Sequence, residues 1–336
     1  MKHLLLAAAA ASLALPVTAQ EPTPIPSPGE IAAAAPASDW IAIAPSDLLV
    51  MDLAPDATGK ARRVVIQLMP APFSQGWVGN IRKLAAAHWW DGTSVNRVQD
   101  NYVVQWGDAT EKKPLPDGLA MVPESDYSVG VNMEAITGPK GVGHRYAPVP
   151  AGGLVDSYAR FAGVFEGWLI AGSHDPDDPA FTNKALLPML RDLPTVVWPV
   201  HCYGMVGVGR NLSPDTGSGA ELYTVIGHAP RHLDRNIAVV GRVISGIEHL
   251  SSLPRGTGEL GFYERPAERV AIASIRIATD LPAADQPRFE YLSTQSDSFA
   301  RYADARQNRR DPFFIKPAGG ADICNIPVPV RLAPAK

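Results

Sequence analysis

This 336-residue chain has few cysteines, no large excess of charge of either sign, and few long hydrophobic runs. It has two cysteines, and 30 basic residues face 34 acidic ones. Beyond residues 4–17, no run of about 18 residues is apolar without a charge or a proline, and a membrane-spanning helix needs that length. The near balance of charge gives no reason to expect nucleic acid or an anionic membrane as a partner. The sequence therefore predicts no membrane insertion and no binding of nucleic acid.

The N-terminal residues are typical of a secretory signal peptide. Lys2 precedes the apolar residues 4–17, and small residues ending at Ala19 follow. The apolar run is too short to span a membrane, and no cysteine stands at the cleavage point for a lipid anchor. We therefore expect cleavage after Ala19 and a periplasmic or secreted product. Residues 20–39, rich in proline and alanine, predict a flexible leader.

The cysteines, Cys202 and Cys324, leave two interpretations open. An even pair in an exported chain permits one disulfide bond. Two separate buried thiols would account for the pair equally well. Cys202 adjoins a predicted core strand, and Cys324 lies in a tail whose path the sequence does not define.

Proline and glycine interrupt the chain often, with 32 and 29 copies. This density favours short strands and loops over long helices, so the predicted fold class is mainly β. Eight apolar or alternating runs supply the strands that a closed antiparallel barrel needs, and closure leaves no exposed strand edge. The predicted strands are residues 48–53, 63–69, 101–106, 129–133, 204–208, 222–227, 237–244 and 271–278.

A long insertion interrupts the predicted barrel domain. We assign the domain to residues 40–280 and the insertion to about residues 111–200. Within the insertion, apolar residues at helical spacing predict a helix over residues 154–168 with one face toward the core. These residues are Leu154, Tyr158, Phe161 and Phe165.

A C-terminal extension, residues 281–336, follows the last predicted strand and is expected to pack on the barrel. Ser296 is a suitable N-cap for a helix that runs to about Arg310. Phe299 and Tyr302 are expected to face inward from this helix.

Two motifs resemble the core of the cyclophilins, the peptidyl-prolyl cis/trans isomerases. Residues 95–110, VNRVQDNYVVQWGDAT, are predicted to place an arginine, an aromatic residue and a glutamine on one short extended stretch. Residues 204–250 follow with a strand, a Gly/Ser-rich loop, an apolar strand, a Leu-Asp turn and a strand ending in GRV. The resemblance covers about residues 45–278, with SQGWVGNIRKLA, residues 74–85, in the place of the first helix. It implies a closed eight-stranded antiparallel barrel with capping helices, and isomerase activity without a cofactor or metal.

The resemblance also implies roles for individual residues. Arg97 takes the place of the catalytic arginine, which donates a hydrogen bond to the prolyl nitrogen as the twisting bond gives that atom a lone pair. Gln105 takes the place of the amide that fixes the substrate carbonyl. Four apolar residues fall at proline-pocket positions, and each taken singly fits ordinary barrel core equally well. They are Tyr102, Val103, Tyr223 and Leu233.

Five further substrate-binding positions depart from the family pattern. His232 stands where the better-known eukaryotic members have tryptophan, and Ile237 stands where histidine is usual. Gly209 and Arg210 replace Ala-Asn, and Glu221 replaces glutamine. Because a carboxylate only accepts hydrogen bonds, Glu221 could pair with the catalytic arginine and either orient it or occupy it.

Signals for other chemistry are weak. His228 and His232 have the spacing of metal ligands, but Pro230 lies between them and no third ligand is evident. Ser-His-Asp at residues 173–175 lacks a nucleophile elbow. The glycines of GVGRNL at residues 207–212 do not complete a dinucleotide-binding motif.

Two functions from different classes remain. The first is a prolyl isomerase that acts on exported or unfolded polypeptides. The second is a non-catalytic module of the same fold that binds proline-containing segments or a protein partner through the insertion and the extension. The sequence gives neither the clients nor the oligomeric state.

Overall fold

A closed antiparallel barrel of eight strands forms the centre of the chain, as the sequence predicted, in a computed structural model that describes residues 24–131, 156–191 and 193–334. Two smaller sheets pack beside it. The strands are β1 (Trp40–Ala42), β2 (Leu48–Leu53), β3 (Arg62–Leu68), β4 (Ser94–Val98), β5 (Val103–Gly107), β6 (Val129–Gly130), β7 (Phe161–Phe165), β8 (Trp168–Ser173), β9 (Val196–Pro199), β10 (Met205–Val208), β11 (Leu222–Val225), β12 (Val239–Ser245), β13 (Val270–Ile277), β14 (Phe289–Leu292) and β15 (Val330–Leu332).

The barrel strands follow the order β10-β11-β5-β4-β13-β2-β3-β12, and β12 pairs with β10 to close the ring. Helix α2 packs on β12 and β13 with one apolar face, which includes Trp77, Ile81 and Leu84. The indole N–H of Trp77 also donates to the Thr216 carbonyl oxygen at 3.1 Å, so the helix and the loop before β11 are joined. The helices in the described part of the chain are α1 (Pro28–Ala33), α2 (Gln75–Ala86), α3 (Glu248–Ser251) and α4 (Asp297–Gln307).

Seven of the eight predicted strands are barrel strands. The prediction for residues 129–133 is wrong, because β6 pairs with β9 in a separate sheet. The barrel strand that the sequence did not reveal is β4. Its pairing with β5 is shifted between Val95 and Arg97, and the extra residue, Asn96, forms a β-bulge. Val95 and Val98 are therefore both fully buried although they lie three residues apart.

The predicted insertion contains a four-stranded antiparallel sheet in the order β6-β9-β8-β7. The helix predicted over residues 154–168 is wrong where the structure describes it, since β7 and β8 form a hairpin there. Glu166 and Gly167 join the strands with φ of 45° and 85°, the backbone of a tight two-residue hairpin turn. The start of the predicted helix, residues 154–155, lies outside the described residues.

A buried arginine attaches this hairpin to the barrel. Arg242 of β12 donates from Nη1 to the Gly167 carbonyl oxygen at 2.7 Å, and from Nε and Nη2 to Gln67 Oε1 at 2.9 and 2.7 Å. Its guanidinium also lies 4.5 Å from the centre of the Trp168 ring. Burial lowers the pKa of Arg242 to about 10, so the side chain remains charged at neutral pH.

Arg242→Ala is expected to lower the free energy of unfolding by about 2–4 kcal/mol, since two buried acceptors lose their donor. Urea titration measures the loss. Arg331→Ala is the matched control, because Arg331 also lies over an indole ring but is about one-third exposed. The control should lose less than about 1 kcal/mol. Equal losses in the two variants would contradict the anchoring role of Arg242.

The C-terminal extension contains α4 and contributes β14 and β15 to a sheet in the order β1-β14-β15, and its buried residues Leu292 and Phe299 belong to the same apolar cluster as the barrel core. The helix prediction is confirmed: the Ser296 hydroxyl accepts from the Phe299 N–H at 3.1 Å, and Phe299 and Tyr302 are buried. The helix ends at Gln307, three residues before the predicted end. Between Cys202 and Cys324 the structure contains a disulfide bond, which joins the extension to the start of β10.

The prediction of a flexible leader is wrong from residue 24 onward. Residues Pro28–Ala33 form α1, which Ser27 and Glu30 cap reciprocally, and this helix packs against α4. The predicted signal peptide lies in residues 1–23, outside the described part. In the part that the structure describes, no helix has both the length and the apolar character needed to cross a membrane.

Candidate functional site

The hairpin of β4 and β5 brings Arg97 and Gln105 together. The two residues pair across the strands, and Arg97 Nη1 donates to Gln105 Oε1 at 3.1 Å. The sequence placed both on one extended stretch, which is wrong, because the chain turns back between Val98 and Val103. The bulge at Asn96 sets the register that turns Arg97 toward the outer face of the barrel beside Gln105.

Three oxygen atoms and two aromatic rings surround the Arg97 guanidinium. Besides Gln105 Oε1, it donates from Nε to the Leu260 carbonyl oxygen at 2.8 Å and from Nη2 to Gln99 Oε1. Its Cζ lies 5.9 Å from the centre of the Tyr102 ring and 5.4 Å from that of Phe262. Partial burial lowers the pKa of Arg97, yet an arginine remains charged at any physiological pH.

An apolar cluster, separate from the barrel core, lies on the outer face of β5 and β11 next to Arg97. Its floor consists of Val103, Tyr223 and Val225, which are all buried. Partly buried side chains surround this floor: Tyr102, Leu233 and Ile237. The exposed His232 ring stacks on Tyr102 with the ring centres 6.3 Å apart. The apolar positions predicted from two distant motifs therefore meet in one place.

A cavity of about 490 Å³ opens on the other side of Gln105. Gly209, Arg210 and Glu221 line it together with Gln105, so these three predicted positions also join the site. The Arg210 guanidinium donates to the Asn236 carbonyl oxygen at 2.9 Å, which connects the cavity to the loop that carries Leu233 and Ile237.

Glu221 contacts Gln105 rather than Arg97. Against the cost of burial, its charged form is favoured by hydrogen bonding with the backbone N–H of Asp108 and with the side-chain amides of Gln105 and Asn96. The suggested ion pair between Glu221 and Arg97 is therefore wrong, and Gln105 stands between them. Burial raises the pKa of Glu221 to about 7.

Three site residues were not predicted from the sequence. Gln99 contacts Arg97 from the turn of the β4–β5 hairpin, while Leu260 and Phe262 come from the loop before β13. That loop lies more than 150 residues away along the chain and carries no motif. In the described ranges no cluster of three or more His, Cys, Asp or Glu side chains could hold a metal ion.

The sequence and the fold are both similar to those of known proteins. Residues 57–277 match the family described as cyclophilin type peptidyl-prolyl cis-trans isomerase/CLD. The crystal structure of the cyclophilin AquaCyp293 from Hirschia baltica is similar with a TM-score of 0.63 and 21% identity, over 88% of this chain and 95% of that one.

A Cryptosporidium parvum cyclophilin type peptidyl-prolyl cis-trans isomerase, solved in the presence of the dipeptide Ala-Pro, has a TM-score of 0.34 and 12% identity. That alignment covers 68% of this chain and 98% of the other. A comparison with curated proteins gives no match. The family match covers both predicted motifs, and the Hirschia baltica structure shares the fold.

Proposed function

Since the chain belongs to the cyclophilin-type peptidyl-prolyl cis-trans isomerases, we propose that Arg97 is its catalytic group and that proline-containing polypeptides are its substrates. Arg97 would donate a hydrogen bond to the prolyl nitrogen while the X-Pro bond is twisted. The observation that supports this role is the position of its guanidinium, bonded to Gln105 and adjacent to the apolar cluster.

The reaction requires no nucleophile, metal or cofactor. An amide bond resists rotation by about 18–20 kcal/mol because of its partial double-bond character. When the C–N bond twists, that conjugation is lost and the prolyl nitrogen gains a lone pair. A donor at this nitrogen stabilises the twisted state and not the planar one, so it lowers the barrier selectively.

Arg97 alone does not account for catalysis. A charge-assisted hydrogen bond contributes about 1.5–3 kcal/mol, whereas enzymes at the low end of measured accelerations lower the barrier by about 8 kcal/mol. The apolar cluster would supply much of the remainder by seating the proline ring on Val103 and Tyr223. Gln105 would hold the preceding carbonyl with its amide N–H, so that one end of the bond rotates against a fixed other end.

We also propose that the protein acts on exported or unfolded polypeptides after removal of residues 1–19. The basis is the charge, the apolar run and the small residues at its N-terminus. N-terminal sequencing of the mature protein from a periplasmic fraction would test this, with Gln20 as the expected first residue. A mature chain that still began at Met1 would contradict the proposal.

Exchange spectroscopy on a short Ala-Pro peptide tests the activity itself. The wild-type protein is expected to accelerate cis/trans exchange at substoichiometric concentration, because a catalyst turns over. Binding of the peptide without faster exchange would instead favour a non-catalytic module that binds proline-containing segments.

Glu221→Gln is expected to remove a pH dependence of the isomerase. In the wild type, kcat/KM should fall about two- to fivefold as the pH rises through about 7, because the charged carboxylate competes with the substrate carbonyl for the Gln105 amide hydrogen. The stability of the fold should change with pH in the same direction as kcat/KM. Since folding raises the pKa of Glu221 from 4.5 to about 7, the free energy of unfolding should decrease as the pH rises across that interval.

The measurements are kcat/KM and urea unfolding between pH 4.5 and 8.5. Both profiles should be flatter with glutamine at position 221. Glu111→Gln is the matched control, because Glu111 lines the same cavity but is exposed. If the turnover of Glu221→Gln at pH 8 is unchanged or reduced, Glu221 does not restrain Gln105.

A further inference from the structure

A chain of buried hydrogen bonds begins beneath the apolar cluster. The hydroxyl of Tyr223 and the Nε2 atom of His201 are 2.9 Å apart, and the His201 Nδ1 atom lies 2.9 Å from Asp234 Oδ1. The backbone N–H of His201 donates to the same carboxylate oxygen at 2.9 Å. All three residues are buried. His201 therefore joins the floor of the cluster to the loop that forms its rim.

The hydrogen-bonded chain continues into the predicted insertion. Arg231 donates from Nε to Asp234 Oδ2 at 2.6 Å and from Nη2 to Asp156 Oδ2 at 2.7 Å. The side chains of Arg231 and Asp156 are 2% and 1% exposed, so solvent does not screen this ion pair. Asp156 belongs to the predicted insertion, so this ion pair connects the insertion to the loop that forms the rim of the cluster.

The barrel itself accommodates the Tyr223 hydroxyl. Gly207 of β10 pairs with Tyr223, and a Cβ atom added at Gly207 would lie 2.3 Å from the hydroxyl oxygen. A side chain at position 207 would therefore displace the phenol group. Burial raises the pKa of Tyr223 well above its usual value, so the group remains a neutral phenol that can hydrogen-bond to His201.

We propose that His201 is a positioning residue of the isomerase. It fixes the ring of Tyr223 and, through Asp234, the loop with Leu233 and Ile237, so that the floor and rim keep the spacing that seats a proline ring. Arg231 and Asp156 extend this support into the insertion. The inference rests on the proposed function, because it gives His201 a role in binding the same substrate.

The expected signature is a loss of kcat/KM that comes mainly from weaker substrate binding. Arg97 and Gln105 do not contact His201, so kcat should fall by a smaller factor than KM rises when His201 is changed. KM should rise about five- to tenfold, which corresponds to the loss of roughly one hydrogen bond. A variant that is merely less folded would show the opposite, because a smaller active fraction lowers the apparent kcat and leaves KM unchanged.

Two substitutions distinguish the contributions of the two imidazole nitrogens, Nδ1 and Nε2. His201→Asn places an amide near the former Nδ1, so it can still reach Asp234 but not Tyr223. His201→Gln places its amide near the former Nε2 and can still reach Tyr223. We expect a raised KM for His201→Asn and at least partial recovery for His201→Gln. Tyr223→Phe should raise KM as His201→Asn does, and the two changes together should be no worse than either alone.

The dissociation constant of an Ala-Pro peptide, from an NMR titration, is measured beside KM and kcat for every variant. If the wild type binds the peptide but does not accelerate exchange, the proposed function fails, and the dissociation constants still test His201. If the wild type is active and His201→Asn binds as tightly as His201→Gln, the positioning role is wrong. Should His201→Asn not fold, Tyr223→Phe and Asp156→Asn test the same chain, with KM expected to rise in both.

Discussion

Arg97→Ala is expected to reduce kcat/KM for an Ala-Pro peptide about 100-fold. The lost hydrogen bond to the twisted prolyl nitrogen contributes about 1.5–3 kcal/mol, and each 1.36 kcal/mol corresponds to a factor of ten in rate. Gln105 Oε1 also loses its donor at 3.1 Å, so Gln105 is held less firmly, which adds to the loss. Exchange spectroscopy with excess peptide measures the change.

The peptide should still bind to Arg97→Ala, since Val103, Tyr223 and Val225 form the floor of the cluster without it. A dissociation constant within about threefold of wild type would show that Arg97 stabilises the twisted transition state and not the bound ground state. Arg97→Lys is the matched variant. It keeps the charge but loses the planar fork that bonds Gln105, Gln99 and the Leu260 carbonyl at once, so most activity should still be lost. Full activity in either variant would rule out Arg97 as the catalytic group.

Removal of the disulfide bond in Cys202→Ser/Cys324→Ser is expected to lower the free energy of unfolding by about 2–4 kcal/mol. The bond closes a loop of 122 residues, which restricts the unfolded chain strongly. It also secures the extension to the strand region next to His201. Urea titrations of the double variant and of the wild type in oxidising and reducing buffer measure the effect.

Reduced wild type and the double serine variant should agree, because both lack the cross-link and differ otherwise by two atoms. A reducing agent should leave the stability of the double variant unchanged. We expect KM to rise modestly in the double variant, as Cys202 follows His201 directly. If reduction does not alter the wild-type stability, the bond contributes nothing to folding.

The local pattern of apolar and turn residues was sufficient to predict much of the fold. Seven barrel strands were predictable because their apolar residues alternate or run continuously between turn residues. The helix α4 was predictable because Ser296 caps it and its apolar residues recur at helical spacing. The apolar site positions were predictable only through the resemblance to the cyclophilins, since Tyr223 and Leu233 taken alone are indistinguishable from barrel core.

What local pattern could not predict depends on irregular geometry or on distant contacts. The bulge at Asn96 breaks the alternation of β4, so the strand that carries Arg97 has no period of two. Apolar residues at helical spacing around Phe161 and Phe165 suggested a helix, whereas Glu166 and Gly167 form a hairpin turn. His201 and Tyr223 are 22 residues apart in the sequence, with strand β10 between them. No motif around His201 indicates that Tyr223 is its hydrogen-bond partner.

The sheet β1-β14-β15 limits how this chain can be shortened. It joins segments from before and after the barrel, and α1 rests on α4 beside it. Truncation after β13 would leave β1 without the strand it pairs with, and truncation before β2 would expose β14 as an open edge prone to aggregation. A minimal barrel therefore requires both cuts together. Both cuts would leave Cys202 as a free thiol, so such a truncated protein would also need a serine at that position.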